Sequence, residues 1–298
     1  IIYEYQSSPS FQGLRERTRK DYLRQIAKIE EKFGKMPIAL LNDARIRGNF
    51  LKWRDGLAKT SPKQADYAIT VLGIILSWAL DRGFISFNYA AKPRKTYKSK
   101  RASKIWTYNN VAAFLSVASS ELQLALILAR DTGQRQGDLL KLRWSSFDGV
   151  RINLTQSKTG TEVSIKTTDE LRTLLKEKKA KGINATTILT RPDGQPWKTD
   201  HFRHAWRKAT LKAGVDGLTF NDLRGTAVTA LADAGCTTIE IAAITGHSLK
   251  SAEGILEHYI ARTRAQGDAA IYKLDNTRRI NSANRVANRD KKQRGEKE

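Results

Sequence analysis

A basic stretch at residues 92–104 constrains the fold of this chain more than any other feature, because it separates two segments with regular apolar patterns. It reads KPRKTYKSKRASK and holds seven basic residues and no acidic one. It lacks the periodic apolar residues with which a helix or strand buries one face. The sequence therefore predicts an extended linker over residues 92–106, and the 298 residues suffice for a domain on each side.

The segment before the linker has the pattern of a small all-helical domain, residues 14–91. Its apolar residues recur at helical spacing in three successive stretches. The third stretch opens with Ser61 and Pro62, a typical N-cap and first-turn pair. Residues 1–13 are predicted to be a lead-in to this domain, and because the first residue is Ile1 the sequence leaves open a segment upstream.

The segment after the linker, residues 107–275, mixes helices with a short β-ribbon. Helical patterns come first, and then VRINLT and EVSIK alternate as two strands around the polar turn QSKTG. The predicted fold class is mainly α with a small β-ribbon, an all-helical domain followed by a mixed α+β domain. Residues 276–298 hold eight basic and three acidic residues and are predicted to form a disordered basic tail.

The charge of the chain indicates a polyanionic partner. Its 53 basic and 30 acidic residues give a net charge of +23, which is most often a sign of nucleic acid binding. A solvated linker with incidental charge is the alternative to one that binds DNA. We expect DNA-backbone contacts from the basic linker residues, which are Lys92, Arg94, Lys95, Lys98, Lys100, Arg101 and Lys104.

Cysteine content and hydropathy narrow the cellular setting. The single cysteine, Cys236, excludes a disulfide framework and fits a reducing compartment. No apolar run approaches the length that spans a membrane. The sequence therefore predicts a cytoplasmic, DNA-associated protein without a membrane partner.

Two arginines stand at helical positions that need an explanation. Arg135 falls in the first turn of a predicted helix, where the helix dipole disfavours a cation, and Asp138 lies one turn later on the same face. Arg224 lies within the apolar run LTFNDLRGTAVTAL, one turn after Asn221, although burying an unpaired charge is costly. A surface Arg135–Asp138 pair is the simpler interpretation of the first site. An anion bound beside each arginine would explain both.

Three further residues complete a set suited to phosphate chemistry. Lys158 lies in the turn of the ribbon, His247 follows Gly246 directly, and Tyr259 lies near the end of the next helix. Taken singly, a turn lysine is usually solvated and such a tyrosine usually lies half-buried in a core. Together with two guanidinium groups, they could supply proton donors and a covalent nucleophile.

Metal and nucleotide chemistry are disfavoured by the sequence. His201 and His204 are three residues apart, but no cysteine joins them and Asp200 is the nearest carboxylate. The chain also has no phosphate-binding loop of the GxxxxGK[ST] type. We therefore expect neither a metal nor a cofactor.

Three motifs, taken in order, resemble those of the tyrosine recombinases, the family of phage integrases and Xer-type recombinases. TGQRQGDLLKLRW is similar to the first arginine box, NDLRGTAVTAL to the second, and ITGHS followed by HY to the last histidine and the nucleophile. The resemblance covers roughly residues 14–275. It implies a core-binding domain followed by a catalytic domain, with Asp138 bracing the first box.

The resemblance also implies a role for each matching residue. Arg135 and Arg224 would hold the scissile phosphate, and His247 would hydrogen-bond it. Lys158 would be the general acid for the departing 5′ oxygen. Tyr259 would attack the phosphorus and form a 3′-phosphotyrosyl link.

By the same resemblance, the protein would be a site-specific recombinase, the integrase of a mobile element. Its partners would be double-stranded DNA recombination sites, three further copies of itself in a homotetramer, and accessory DNA-bending proteins. The two domains would grip the duplex as a C-shaped clamp, and two strand exchanges would pass through a Holliday junction. The phosphotyrosyl bond conserves the energy of the cleaved bond, so that no ATP is needed.

Two features depart from the family pattern and keep alternatives open. Asn221 stands where the second box normally has a histidine or lysine, and asparagine cannot take up a proton near neutral pH. His247 and Tyr259 are 12 residues apart, somewhat more than is usual. The alternatives are a type IB-like topoisomerase, which shares the nucleophile and arginines, and a DNA-binding protein with a degenerate catalytic site.

Overall fold

The computed structural model describes residues 1–98, 101, 104–180, 185–259, 271–272 and 274–279. The chain divides into two compact units, Ile1–Ser99 and Lys100–Glu298. Each has its own hydrophobic core. No helix within the described ranges is long and apolar enough to cross a membrane.

The first unit is helical throughout its regular structure. Helix α5 is its most apolar element, and it packs against α3 and α4 with its buried face. A 3-10 turn at Ile38–Asn42 precedes α4. The helices are α1 (Ile2–Ser7), α2 (Pro9–Gln12), α3 (Glu16–Phe33), α4 (Ile46–Ala58) and α5 (Pro62–Leu80).

Residues 1–13, which the sequence indicated as a lead-in, form the two short helices α1 and α2. The ring centroid of Tyr5 lies 5.5 Å from that of Phe11 and 5.8 Å from that of Trp78, both edge to face. Tyr5 and Phe11 are buried in the first core. Helices of four to six residues are too short to show a repeating apolar pattern, so the sequence does not reveal them.

The basic stretch is anchored at both ends by buried or hydrogen-bonded groups. Arg54 Nη1 donates to the carbonyl of Arg94 at 2.8 Å, and the backbone N–H of Thr96 donates to both carboxylate oxygens of Asp66. Trp106, which the sequence placed in the linker, is buried in the core of the second unit. These contacts attach residues 94–97 to the first unit and Trp106 to the second.

The second unit combines helices with a two-stranded antiparallel ribbon. Arg151 pairs with Lys166 at one end of the ribbon, and Thr155 pairs with Glu162 at the other. Helix α7 supplies more residues to the core than any other element of this unit. The elements are α6 (Tyr108–Val117), α7 (Ser120–Thr132), α8 (Gln136–Leu139), β1 (Arg151–Thr155), β2 (Glu162–Lys166), α9 (Asp169–Ala180), α10 (Thr199–Lys212), α11 (Asp222–Asp233), α12 (Thr238–Thr245) and α13 (Leu249–Tyr259). The fold class predicted from the sequence is thus confirmed.

Two helix ends meet in the second unit and create the setting of the candidate site. Helix α7 ends at Gly133 and α12 ends at Gly246, both in the left-handed conformation, with φ of +63° and +66°. A Cβ atom on Gly133 would lie 2.9 Å from Cγ2 of Thr245, so the two ends are in close contact. Both ends leave backbone carbonyls that need hydrogen-bond donors.

Candidate active site

The guanidinium group of Arg224 joins the two helix ends. Arg224 lies in the first turn of α11, and its Nη1 donates to the carbonyls of Gly133 at 2.6 Å and Thr245 at 2.7 Å. Its Nε donates to Nε2 of His247 at 3.0 Å. A charged donor thus satisfies carbonyls that the two helices leave unpaired.

One nitrogen of the Arg224 guanidinium group, Nη2, is buried and is left without a hydrogen-bond partner among the described residues. Burial, and then the positive charge of Arg135, lower the pKa of Arg224 to about 10, while Asp138 opposes this shift. The group is therefore still protonated at neutral pH. A buried, charged N–H without a partner is what an anion-binding site requires.

Arg135 is the N-cap residue of the single-turn helix α8, one residue before the first turn in which the sequence placed it. Its Nη1 donates to Oε1 of Gln156 at 2.5 Å. Gln156 in turn donates to the carbonyl of Thr245, which also accepts from Arg224, so hydrogen bonds connect the two guanidinium groups. The structure thus brings together the two arginines that the sequence singled out.

The hydrogen bonds of His247 define its tautomer. The hydroxyl of Thr245 donates to the carbonyl of Ile241 at 2.7 Å, so its oxygen accepts from Nδ1 of His247 at 2.8 Å. Nε2 of His247 accepts from Arg224, which has no acceptor atom. The imidazole is therefore neutral, with its proton on Nδ1.

The electrostatic setting of His247 favours this neutral form. Burial, followed by the charges of Arg224 and Arg135, lowers the pKa of His247 to about 4. The family resemblance implied that His247 donates a hydrogen bond to the phosphate. In this arrangement neither ring nitrogen is free to do so, because Nδ1 donates to Thr245 and Nε2 accepts from Arg224. Nε2 would first have to accept a proton, which a bound anion would favour by raising the pKa.

Asp138 fastens the β-ribbon to the segment that carries Arg135. Its Oδ1 accepts from the backbone N–H of Ser157 at 2.9 Å and from the Ser157 hydroxyl at 2.5 Å. Lys158 is the next residue, and its side chain is exposed. The Asp138 carboxylate therefore fixes the backbone of the turn directly beside Lys158.

Asn221 is not part of this hydrogen-bonded group. It is the N-cap residue of α11, it is exposed, and its side chain forms no cap hydrogen bond. The adjacent Asp222 instead accepts from the backbone N–H and hydroxyl of Thr219 at 2.6 and 2.8 Å. The second-box position is thus occupied by an exposed amide one turn before Arg224.

The linker candidates for DNA contacts have different environments. Arg101 forms an ion pair with Asp222 and donates to the Thr219 hydroxyl at 3.0 Å, which gives it a structural contact that the sequence did not predict. Lys100 lies outside the described residues. The remaining linker cations are exposed, namely Lys92, Arg94, Lys95, Lys98 and Lys104.

Tyr259 is the last residue of α13, and its side chain lies outside the described part of the structure. Helix α13 packs against α11, which carries Arg224, and against α12, which leads to His247. The proposed nucleophile thus lies at the end of a helix that packs against the elements next to Arg224 and His247. Among the described residues, no group of His, Cys, Asp and Glu side chains could hold a metal ion.

Sequence reasoning missed two buried glutamines, Gln134 and Gln156. Gln156 donates to Oε1 of Gln134 at 2.7 Å and to the carbonyl of Thr245 at 2.8 Å. The two-residue period of β1 could have located it, because Ile152 and Leu154 already mark the inward face and Gln156 continues that series. Because QSKTG consists of polar residues and glycine, its first residue was assigned to the turn and not to the inward face of the strand.

The fold and site define a mixed α+β domain with two linked arginines at its site, preceded by a helical domain, and comparison with known proteins identifies the family. The chain matches the phage integrase family over residues 104–264, just over half of its length, and therefore belongs to this family. This confirms the family that the three sequence motifs predicted.

Several curated relatives are integrases of bacteriophages. The integrase of Escherichia phage lambda is 26% identical over 232 residues, which are 74% of this chain and 64% of the relative. That of Enterobacteria phage 434 is 27% identical with the same coverage. The integrase of Escherichia phage HK022 is 26% identical over 163 residues, 54% of this chain and 45% of the relative. The chain thus spans about half to two thirds of the length of these proteins.

Solved structures show the same fold. A lambda integrase fragment, residues 75–356, solved as a dimer bound to a COC′ core site, aligns with a TM-score of 0.74 at 22% identity, over 85% of this chain and 93% of that one. The Tn1549 transposon integrase in complex with circular intermediate DNA aligns with a TM-score of 0.72 at 16% identity, over 91% of this chain and 97% of that one.

Proposed function

We propose that this protein is a site-specific DNA recombinase, the integrase of a mobile element, which cleaves and rejoins DNA through a 3′-phosphotyrosyl intermediate. The observation that carries the proposal is the buried Nη2 of Arg224, which has no partner among the described residues and lies in the field of Arg135. Membership of the phage integrase family supports a phosphodiester as the anion that this donor binds.

Each step of this reaction has a candidate group in the second unit. Arg135 and Arg224 bind the non-bridging oxygens of the scissile phosphate and stabilise the charge of the transition state. The hydroxyl of Tyr259 attacks phosphorus, and the bond from phosphorus to the 5′ oxygen breaks as Lys158 gives that oxygen a proton. Attack by a 5′ hydroxyl of another strand on the phosphotyrosyl link reverses these steps and releases Tyr259.

The Tyr259 hydroxyl must lose a proton during the attack, and Asn221 cannot accept it. His247 is a better acceptor, because its Nε2 carries a lone pair in the observed tautomer. A phosphodiester bound to Arg224 would compete with Nε2 for the Nε–H donor and leave the lone pair available. We therefore infer that His247, rather than Asn221, takes up the proton.

Double-stranded recombination sites and three further copies of the chain are the proposed partners. The support is that lambda integrase has been solved as a tetramer bound to a Holliday junction, with a TM-score of 0.67 at 21% identity to this chain. Accessory DNA-bending proteins and a bacterial cytoplasmic location belong to the same proposal. The integrases found as relatives give no support to the topoisomerase alternative.

A covalent-adduct assay tests the proposed function. The protein is incubated with a nicked duplex that carries its recombination site, so that the cleaved end diffuses away and the phosphotyrosyl link accumulates. A labelled protein–DNA adduct is expected on a denaturing gel, and Tyr259→Phe should abolish it. Tyr108→Phe is a matched control, because Tyr108 is an exposed tyrosine of the same unit.

The possible outcomes separate the three functions. Tight binding without any wild-type adduct would leave only a DNA-binding protein with a degenerate site. Relaxation of a supercoiled plasmid that lacks the site would favour the topoisomerase. An adduct that persists in Tyr259→Phe would show that another residue is the nucleophile.

A further inference from the structure

Gln156 lies at the centre of the site although it carries no charge. Its side chain is 0% exposed. Oε1 accepts from Nη1 of Arg135 at 2.5 Å and from the hydroxyl of Thr159 at 3.0 Å. Nε2 donates to Oε1 of Gln134 at 2.7 Å and to the carbonyl of Thr245 at 2.8 Å. Every donor and both lone pairs of the amide are therefore in use.

The orientation of this amide is determined by its neighbours. A guanidinium group has only donors, so Arg135 must face the amide oxygen. A backbone carbonyl has only lone pairs, so Thr245 must face the amide nitrogen. A flipped Gln156 would lose both contacts, which makes the assignment of its oxygen and nitrogen unambiguous.

Gln156 connects the two arginines through neutral groups. The carbonyl of Thr245 accepts from Nε2 of Gln156 and also from Nη1 of Arg224 at 2.7 Å. A continuous path therefore runs from Arg135 through Gln156 and the Thr245 carbonyl to Arg224. Two like charges that repel each other are thus held in one site by acceptors that carry no formal charge.

The surroundings of Gln156 leave it little freedom. A Cβ atom on Gly246 would lie 2.3 Å from Nε2 of Gln156, so only glycine lets the amide approach the Thr245 carbonyl. Gln134 is itself held, because its Nε2 donates to the carbonyls of Thr132 at 3.0 Å and Ile244 at 2.9 Å. The acceptor that Gln134 offers to Gln156 is consequently fixed in space.

The same residue belongs to the turn that carries Lys158. The backbone N–H of Gln156 donates to the carbonyl of Thr161, and its carbonyl accepts from the N–H of Gly160, both at 2.8 Å. Ser157, which follows, is fastened to Asp138. The turn is thus attached to the arginine site at two successive residues.

We propose that Gln156 is a positioning residue for strand cleavage, which sets the separation and orientation of the Arg135 and Arg224 guanidinium groups and couples them to the Lys158 turn. It does not touch the reacting phosphate. The proposal rests on the proposed function, since it assigns the arginines to the scissile phosphate.

Gln156→Met tests the proposal, because methionine keeps nearly the same length and shape while it removes the four hydrogen bonds. DNA affinity in a mobility-shift assay should change little, since most phosphate contacts lie elsewhere on a strongly basic chain. The single-turnover rate of adduct formation should fall by about 10- to 100-fold, as misplaced catalytic groups commonly cause.

Gln123→Met is the matched control. Gln123 also lies in the second unit, and its Nε2 donates to the carbonyls of Leu115 at 2.7 Å and Ala118 at 3.0 Å, away from both arginines. This variant should also lose thermal stability, though less than Gln156→Met because only two hydrogen bonds are removed, and it should still cleave at the wild-type rate. Gln156→Glu is a second variant of unchanged size, and it should also cleave slowly, because a carboxylate cannot donate to Thr245.

A modified substrate distinguishes positioning from general damage. A methylphosphonate at the scissile position has no charge and only one non-bridging oxygen, so it needs less from a pair of guanidinium groups. The penalty of Gln156→Met should therefore shrink on this substrate. If Gln156→Met slows cleavage by the same factor on both substrates, or if both Gln156 variants cleave the phosphate at the wild-type rate, the inference is overturned. The proposed recombinase function stands in either case, provided that the wild-type protein forms the adduct. Absence of a wild-type adduct would remove both.

Discussion

At the residue scale, burial and neighbouring charges determine the protonation state of the side chains in the site. Arg224 and His247 share a hydrogen bond at 3.0 Å. Burial, and then the positive charges of Arg224 and Arg135, lower the pKa of His247 to about 4 in the free protein. An anion bound beside Arg224 would oppose these charges, raise the pKa of His247 and make it a better proton acceptor.

His247 should titrate with a pKa of about 4 in the DNA-free protein, measured by NMR of the imidazole resonances. Its folded-state pKa lies below the unfolded value of 6.5, so the unfolded chain binds the proton more tightly between these values. The contribution of His247 to the free energy of unfolding should therefore be fully present above pH 6.5 and should fall as the pH is lowered toward 4.

Arg135→Ala should raise the pKa of His247, because it removes one of the two positive charges that oppose protonation. A His247 pKa near 6.5 in the wild-type protein would contradict the arrangement.

At the element scale, the ends of α7 and α12 matter more than their interiors. Each ends in a left-handed glycine, and the carbonyls exposed there accept from Arg224 and from the glutamines. The helix ends therefore supply the acceptors that position the cationic side chains. Capping geometry, rather than helix propensity, decides where the site forms.

Gly246→Ala should be more harmful than an ordinary glycine substitution. Gly194 is the matched control, because it also has a positive φ, +78°, but has open space around it. Gly194→Ala should cost about 1 kcal/mol in unfolding free energy from backbone strain alone. Gly246→Ala should cost at least about 1 kcal/mol more, because the new carbon displaces the Gln156 amide from buried hydrogen bonds.

Urea unfolding of the two variants measures this difference, and adduct formation should be slowed only in Gly246→Ala. Equal losses of stability would show that the contact between Gly246 and Gln156 contributes little.

At the scale of the whole molecule, charge governs the proposed association with DNA. The chain carries a net charge of +23, and exposed cations lie on both sides of the division between the two units. Arg101 differs from these because Asp222 engages its guanidinium group. We therefore expect the exposed linker cations to contact DNA and Arg101 to stabilise the second unit.

DNA affinity should fall steeply with salt, and the double variant Lys95→Ala/Lys98→Ala should reduce the slope of log affinity against log salt by about two, one for each lost phosphate contact. Arg101→Ala should leave the slope nearly unchanged but lower the melting temperature, because Asp222 loses its partner. Titrations at several salt concentrations measure the slopes. An unchanged slope in the double variant would assign the DNA contacts to other residues.

Much of the fold was predictable because it depends on local patterns. Ser61 and Pro62 begin α5 as expected, and the alternation of residues 151–155 and 162–166 forms the ribbon. The boundaries were less accurate where elements are short, as at α1, α2 and the single turn of α8. A helix of one or two turns is stabilised by tertiary contacts, which its own sequence does not display.

The sequence by itself determined the family, the order of the arginine, lysine, histidine and tyrosine candidates, and the helical frame that carries them, because these depend on residue type and spacing. Only the tertiary structure placed Gln156 between Arg135 and Thr245, assigned the tautomer of His247 and left Nη2 of Arg224 without a partner among the described residues. The physical reason is distance along the chain. Gln156 and Thr245 are 89 residues apart, and a hydrogen bond between them exists only once the ribbon and the end of α12 have packed together.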